Sequence, residues 1–223
     1  MTTTVSHAME RLEALGHEKV RARNLKLGAG EAQFGVRMGD VRTLAKEVGR
    51  DHELAMELWA TGHLEARLLA ILLLQPKRLS ADDLEAMLRD ARFTQLADWL
   101  QSYVVKDHPE AASPREAWMD DPDPWVARAG WSLTAGRVAR SADGLDLGTL
   151  LDRIEAELAS ADPASQWTMN NTLAGIGINH PEHRERAVAI GEALGVYRDY
   201  PVPKGCTSPF APLWIEAMVS RQR

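Results

Sequence analysis

Apolar side chains recur along this chain every three or four residues, and period-two alternation is nearly absent, so the pattern predicts helices throughout. Val5 to Leu15 reads as a first helix ended by Gly16, and His17 to Leu27 as a second ended near Gly28. A glycine-rich loop, Gly28 to Gly35, leads to a helix over Asp40 to Val48, stopped by Gly49. His52 to Ala60 and Leu64 to Leu74 form a pair split by Thr61-Gly62. Pro76 closes the second, because proline cannot continue a helix. Ser80 with Asp83 three residues on is a capping signal that opens a helix to about Arg89. Phe93 to Lys106, Ser113 to Met119, Trp125 to Arg140, Leu147 to Ser160, Ala164 to Ile178 and Glu182 to Leu194 continue the series. Val196 to Phe210, which holds Pro201, Pro203, Gly205 and Pro209, reads as loop, and Ala211 to Arg221 as a last helix.

Helix pairs that recur at roughly 30–40 residues without a strict motif are the pattern of a helical solenoid, in which each pair buries its apolar face only against its neighbours. The expected fold is therefore all-α: a right-handed α-α superhelix, a HEAT-like or armadillo-like helical solenoid. A compact helical bundle is the alternative. No linker stands out, so residues 1–223 read as a single domain with a loop-rich C-terminal segment from about residue 196.

In a two-layer solenoid, the side chains pointing away from the core stripe line the binding surface. Placed at 100° per residue, three successive helices put polar or aromatic groups there. In the Phe93 helix the stripe is Phe93, Leu96, Leu100 and Val104, and Asp98 lies about 150° from it. In the Trp125 helix the stripe is Trp125, Val126, Ala129 and Leu133; Trp131 points away from it, beside Arg128. In the Ala164 helix the stripe is Met169, Leu173 and Ile176, and Trp167, Asn170, Asn171 and Ala174 face the other way. A groove with stacking and charged groups is one reading of these faces. Packing against a further layer or a partner is the other.

Composition narrows the class. Of 223 residues, 45% are hydrophobic and 26% charged, which suits a globular chain and not a disordered one. The lone Cys206 excludes an intrachain disulfide framework and a finger-type zinc site, and it fits a reducing cytoplasm. No apolar run approaches the length of a membrane span, and the N-terminus lacks the basic-then-apolar pattern of a signal peptide. His180 and His183 have metal-ligand spacing, but Pro181 lies between them and no ligand cluster follows, so no metal is expected. There is no phosphate-binding loop, dinucleotide fingerprint or nucleophile elbow, and no cofactor is expected.

The net charge of −6 argues against a nucleic-acid partner, yet its distribution changes the picture. Glu18 to Arg50 holds eight basic and four acidic residues, a local +4 on a chain whose remainder is −10. Lys19, Arg23, Arg37 and Arg42 are its candidate phosphate contacts.

Phe34-Gly-Val-Arg-Met-Gly-Asp-Val-Arg-Thr-Leu-Ala-Lys46 and Glu57-Leu-Trp-Ala-Thr-Gly-His-Leu-Glu-Ala-Arg-Leu-Leu-Ala70 resemble early segments of the DNA alkylation-repair family of AlkD-like glycosylases. The resemblance is good over about residues 20–75 and traceable to about 180, and the tail with Lys204-Gly-Cys-Thr-Ser-Pro-Phe-Ala-Pro212 looks like a distinct branch. It implies HEAT-like repeats and excision of cationic alkylated purines, such as 3-methyladenine or 7-methylguanine, from duplex DNA. The family is thought to grip the backbone around the lesion without placing the base in a pocket, unlike base-flipping glycosylases. One carboxylate suffices for such chemistry. The cationic purine already leaves readily, and the carboxylate stabilises the oxocarbenium-like sugar and holds the attacking water.

Carried onto this chain, the resemblance gives Asp98 the catalytic position, with Thr94 where the family has a tryptophan. It gives Arg128, in Trp125-Val-Ala-Arg128, a phosphate contact. A second family tryptophan falls at Gly175, so Trp131 and Trp167, with Asn171, become the candidate DNA-binding groups of the later helices. The sequence thus supports two readings: a DNA-alkylpurine glycosylase, or a non-catalytic helical-repeat scaffold that binds DNA or a protein partner.

Overall fold

A computed structural model describes residues 3–222, and among them there are helices and no strand. The contacts divide the chain into two compact units, the first ending at Ala111 and the second starting at Ala112. The first holds α1 (Val5–Ala14), α2 (Glu18–Lys26), α3 (Met38–Val48), α4 (His52–Ala60), α5 (Leu64–Leu73), α6 (Ala81–Asp90) and α7 (Thr94–Tyr103), with 3-10 turns at Pro76–Arg78 and Val105–Asp107. The second holds α8 (Arg115–Met119), α9 (Pro124–Arg140), α10 (Leu147–Glu157), α11 (Pro163–Asn179), α12 (Pro181–Leu194) and α13 (Ala211–Arg221). The all-α, helix-pair architecture expected from the periodicity is what the chain adopts.

Most helix limits follow the local signals. Ser80 accepts from the Asp83 backbone N–H while the Asp83 carboxylate accepts from that of Ser80, the reciprocal cap expected of that spacing. The helix expected over Phe93 to Lys106 instead stops at Tyr103, because Val104 leaves helical geometry and a 3-10 turn begins. Ser113-Pro114 stays outside α8, with Pro114 only flanking it.

In the first unit α5 is central, packed by α1, α3, α4 and α7, and Leu64, Ala66, Leu68, Leu69, Ala70, Ile71 and Leu73 are all buried. In the second unit α11 has that place, with α9 and α13 against it and α10 and α12 beside them. Buried positions run around most of these helices and of α9, and in α11 they include Thr168, Asn170 and Thr172, so the apolar stripe alone does not mark the inner face.

That ambiguity overturns one expectation. Trp131 does not face away from the core. It is 1% exposed and packs with Met119, Val138, Leu151, Ile154 and Leu173, the Arg153 guanidinium carbon lying 5.1 Å from its ring centroid. The cause lies next to it. A Cβ at Gly130 would stand 2.6 Å from the Met119 backbone nitrogen and 2.9 Å from the Arg115 carbonyl oxygen, so the glycine lets α8 press directly on α9. The face that the helical wheel leaves open is closed by α8 on one side and α11 on the other. Trp125 and Leu133, expected in the core, are half-buried.

Two histidines, His52 buried and His63 half-buried, give the first unit a pH dependence. Burial lowers the pKa of His52, with Arg78 adding to the effect, and burial lowers that of His63 against the opposing pull of Glu65 and Glu13. Both start from an ordinary value of 6.5. Below that pH the unfolded chain takes up protons that the folded one refuses, so stability falls as the pH drops and levels off only beneath the folded-state values. The melting temperature is expected to decline from pH 7.5 to 5.5, and less steeply in His52→Gln. Equal slopes in the two proteins would contradict this account.

Candidate functional site

The cationic stretch of the first unit rests on one buried carboxylate. Glu65, on α5, is fully buried and accepts three backbone hydrogen bonds: Oε2 from the Phe34 N–H at 3.0 Å, and Oε1 from those of Gly35 at 2.8 Å and Val36 at 3.1 Å. His63 Nδ1 lies 3.4 Å from Oε2, and its ring packs on Phe34 with centroids 4.1 Å apart. Gly35 has a φ of +79°, and a Cβ there would stand 2.5 Å from the Arg21 backbone nitrogen. The loop between α2 and α3 is therefore fixed to α5 from one side and to α2 from the other. Both motif segments that carry the family resemblance meet at this junction.

Beyond it, α2 buries a single side chain, Asn24, whose Nδ2 donates to Gln33 Oε1 at 3.0 Å. Its remaining surface displays Lys19, Arg23 and Lys26, exposed and spaced to share one face. Arg37 is exposed at the start of α3, and Arg42 and Lys46 follow one turn apart. Two of the four acids in the stretch are already paired, Glu31 with Arg21 of the same stretch and Glu47 with Arg11 outside it. Among the described residues Lys19, Arg23, Arg37 and Arg42 form no ion pair. The Arg42 guanidinium carbon lies 4.5 Å from the ring centroid of the buried Trp99, which packs on Tyr103 at 5.5 Å. Asp98 is exposed on α7 beside Trp99, and Thr94, one turn earlier, is exposed as well.

In the second unit Arg128 is not the solvent-facing phosphate contact that its alignment implies. It is 4% exposed, and Nη1 donates to the Ala164 carbonyl at 2.7 Å, tying α9 to the first turn of α11. Its neighbourhood is aromatic. Trp167 is half-buried and packs on Tyr197 with centroids 5.3 Å apart and on Tyr200 at 5.8 Å, while the two tyrosines lie 5.7 Å apart at 89°. Burial pushes the Tyr197 hydroxyl up, opposed by the positive charge of Arg128, so the phenol stays neutral at physiological pH.

Tyr197 has a φ of +61°, a left-handed conformation that costs a side chain on the order of 1–2 kcal/mol. Arg198 holds this turn in place. Its Nη2 donates to the Glu192 carbonyl at 2.9 Å and to its carboxylate at 2.8 Å, and its guanidinium carbon lies 4.5 Å from the Phe210 ring centroid.

Ala164, Trp167, Asn171, Gly175 and Ile178 form the half-buried stripe of α11. Asn171 Oδ1 is buried without a hydrogen-bond partner, one turn beyond Trp167. Gly175 lies two turns beyond Trp167 on the same stripe, about 12 Å along the axis. Asn170 and Ala174, expected on this face, are instead covered; Asn170 Nδ2 donates to the Pro209 carbonyl at 2.8 Å, so the tail closes over them.

The structure thus brings Arg128 and Trp167 together and adds Tyr197 and Tyr200, which sequence reasoning left in a loop. Two tyrosines three residues apart in a proline-rich segment were the available signal. The buried Glu65 was also missed, and its signal was an acid within the apolar Leu64-to-Leu74 run.

The family described as DNA alkylation repair enzyme matches the chain over residues 8–202. An uncharacterized protein of Listeria innocua serovar 6a is 22% identical over 192 residues, 84% of each chain. One of Listeria monocytogenes serovar 1/2a is 22% identical over 194 residues, 85% of each. A solved structure, described as a new family of proteins related to the HEAT-like repeat DNA glycosylases with affinity for branched DNA structures, aligns with a TM-score of 0.80. Its identity is 25%, over 99% of this chain and 96% of that one.

Proposed function

The chain belongs to the DNA alkylation repair enzyme family, and on that premise we propose that it binds DNA through the phosphate backbone. The observation that carries the reading is α2. A helix that buries one side chain contributes little to the core, yet it holds Lys19, Arg23 and Lys26 on one face without acidic partners, with Arg37 and Arg42 following on α3. Cations left unpaired on an acidic chain are suited to phosphate contact, because binding there releases counterions from DNA. The affinity of the structural neighbour for branched DNA structures supports the same partner class and extends it beyond the continuous duplex.

Salt titration tests this. Binding to a duplex and to a flap of equal length should weaken linearly on a log–log salt plot. Lys19→Gln, Arg23→Gln and Lys26→Gln should flatten the slope by roughly 0.9 for each phosphate no longer neutralised. A wild-type protein with no DNA affinity at low salt ends the reading and leaves a protein scaffold.

A second reading, excision, is favoured by the exposed Asp98 on α7. In it the C1′–N bond of a cationic purine breaks, and its electron pair leaves with the base, which becomes neutral. Water adds its oxygen to C1′ and gives its proton to the Asp98 carboxylate, which also stabilises the oxocarbenium-like sugar. Release of 7-methylguanine by the wild type and not by Asp98→Asn is the expected result. Release that persists in Asp98→Asn refutes the role of Asp98, and no release by the wild type refutes excision while leaving DNA binding standing.

A further inference from the structure

We propose that Trp167, Tyr197 and Tyr200 form a stacking platform for an unpaired nucleobase, which a flap or bulge offers and a continuous duplex does not. This rests on the DNA-binding reading above and goes beyond it by assigning a base-recognising group in the second unit.

Three features point to a ligand and not to core packing. The rings meet edge to face or tilted, at interplanar angles of 54° to 89°, and none of them stack in parallel. Tyr200 remains 47% exposed, although the turn that carries it is held in a left-handed conformation at Tyr197 and clamped by Arg198 on Glu192 and Phe210. The positive φ seats Tyr197 on Trp167 and brings the exposed Tyr200 beside both, and strain of this kind collects at ligand sites. Third, Asn171 Oδ1 is buried without a partner one turn from Trp167. Its side chain is only half-buried, so an outward turn of the amide would present this orphaned acceptor to the exocyclic amine or ring N–H of a base.

Charge alone does not account for the group. The turn carries one cation and one anion, Arg198 and Asp199, and Arg128 is buried with its Nη1 on the Ala164 carbonyl. Recognition therefore falls to ring faces, which every base can use, and sequence preference is expected to be slight. A paired base inside a duplex offers no such face. A base at a bulge or flap does, because most of the cost of unstacking has already been met.

The test compares a duplex carrying a single-nucleotide flap of 2-aminopurine with a matched continuous duplex, using the full chain. Wild type should bind the flap more tightly and quench its fluorescence. Tyr200→Ala should lose roughly tenfold in preference for the flap while keeping duplex affinity and salt slope, since stacking releases no counterions. Tyr200→Phe should restore the preference. Tyr197→Gly, which suits the positive φ and so keeps the turn, should reproduce the loss. Equal affinity of the wild type for flap and duplex, without quenching, overturns the platform alone. So does a Tyr200→Ala protein that weakens on both DNAs alike. Absence of any DNA binding by the wild type overturns both this inference and the reading on which it rests.

Discussion

Glu65→Ala is expected to destabilise the first unit by about 4 kcal/mol, because three backbone N–H groups lose their buried acceptor at once. Each orphaned donor alone costs roughly 1–3 kcal/mol, and the loop cannot turn outward to reach water without releasing Phe34 from His63. The consequence extends to function. The loop fixed by Glu65 is what holds α2, which has almost no core of its own, and it leads directly into Arg37. Hydrogen exchange should show residues 17–48 losing protection first, with the urea midpoint falling and DNA affinity falling with it. Glu65→Gln keeps one acceptor and should lose about half as much. A Glu65→Ala protein with wild-type midpoint and wild-type exchange across 17–48 would show that the carboxylate does not anchor the loop.

Glu65 also shows where reading the sequence stops. Leu64 to Leu74 is plainly a buried helix by its apolar run, and the acid in it is visibly out of place. What satisfies that acid lies some thirty residues earlier, in the backbone of Phe34 to Val36, and backbone donors leave no trace in residue identity. Local devices were legible for the opposite reason: the Ser80 and Asp83 cap is made by residues three apart, so spacing states the contact. The cationic faces of α2 and α3 were legible because exposed charges need no partner to be recognised. The aromatic group was half legible. Trp167 stands on a helix whose period can be counted, whereas Tyr197 and Tyr200 reach it only because the chain adopts a positive φ that a tyrosine does not advertise.

Trp131→Ala should be the most damaging single change in the second unit, at about 4 kcal/mol, and its effect separates two views of that residue. Were Trp131 a groove side chain, the substitution would spare the fold and weaken DNA binding. At 1% exposure, enclosed by Met119, Val138, Leu151, Ile154 and Leu173, truncation instead opens a cavity that the helices around it cannot close. Gly130 already draws α8 as near to α9 as its backbone allows, so little further collapse is available there. Arg153 loses its ring partner but keeps the Asp120 carboxylate at 2.7 Å and that of Glu157 at 3.0 Å, so its charge stays matched. Denaturant unfolding should therefore show a large drop in midpoint. DNA affinity measured well below that midpoint should remain near wild type, because no phosphate-facing group has moved. Unchanged stability with lost binding would return Trp131 to the surface and reverse the orientation assigned to α9.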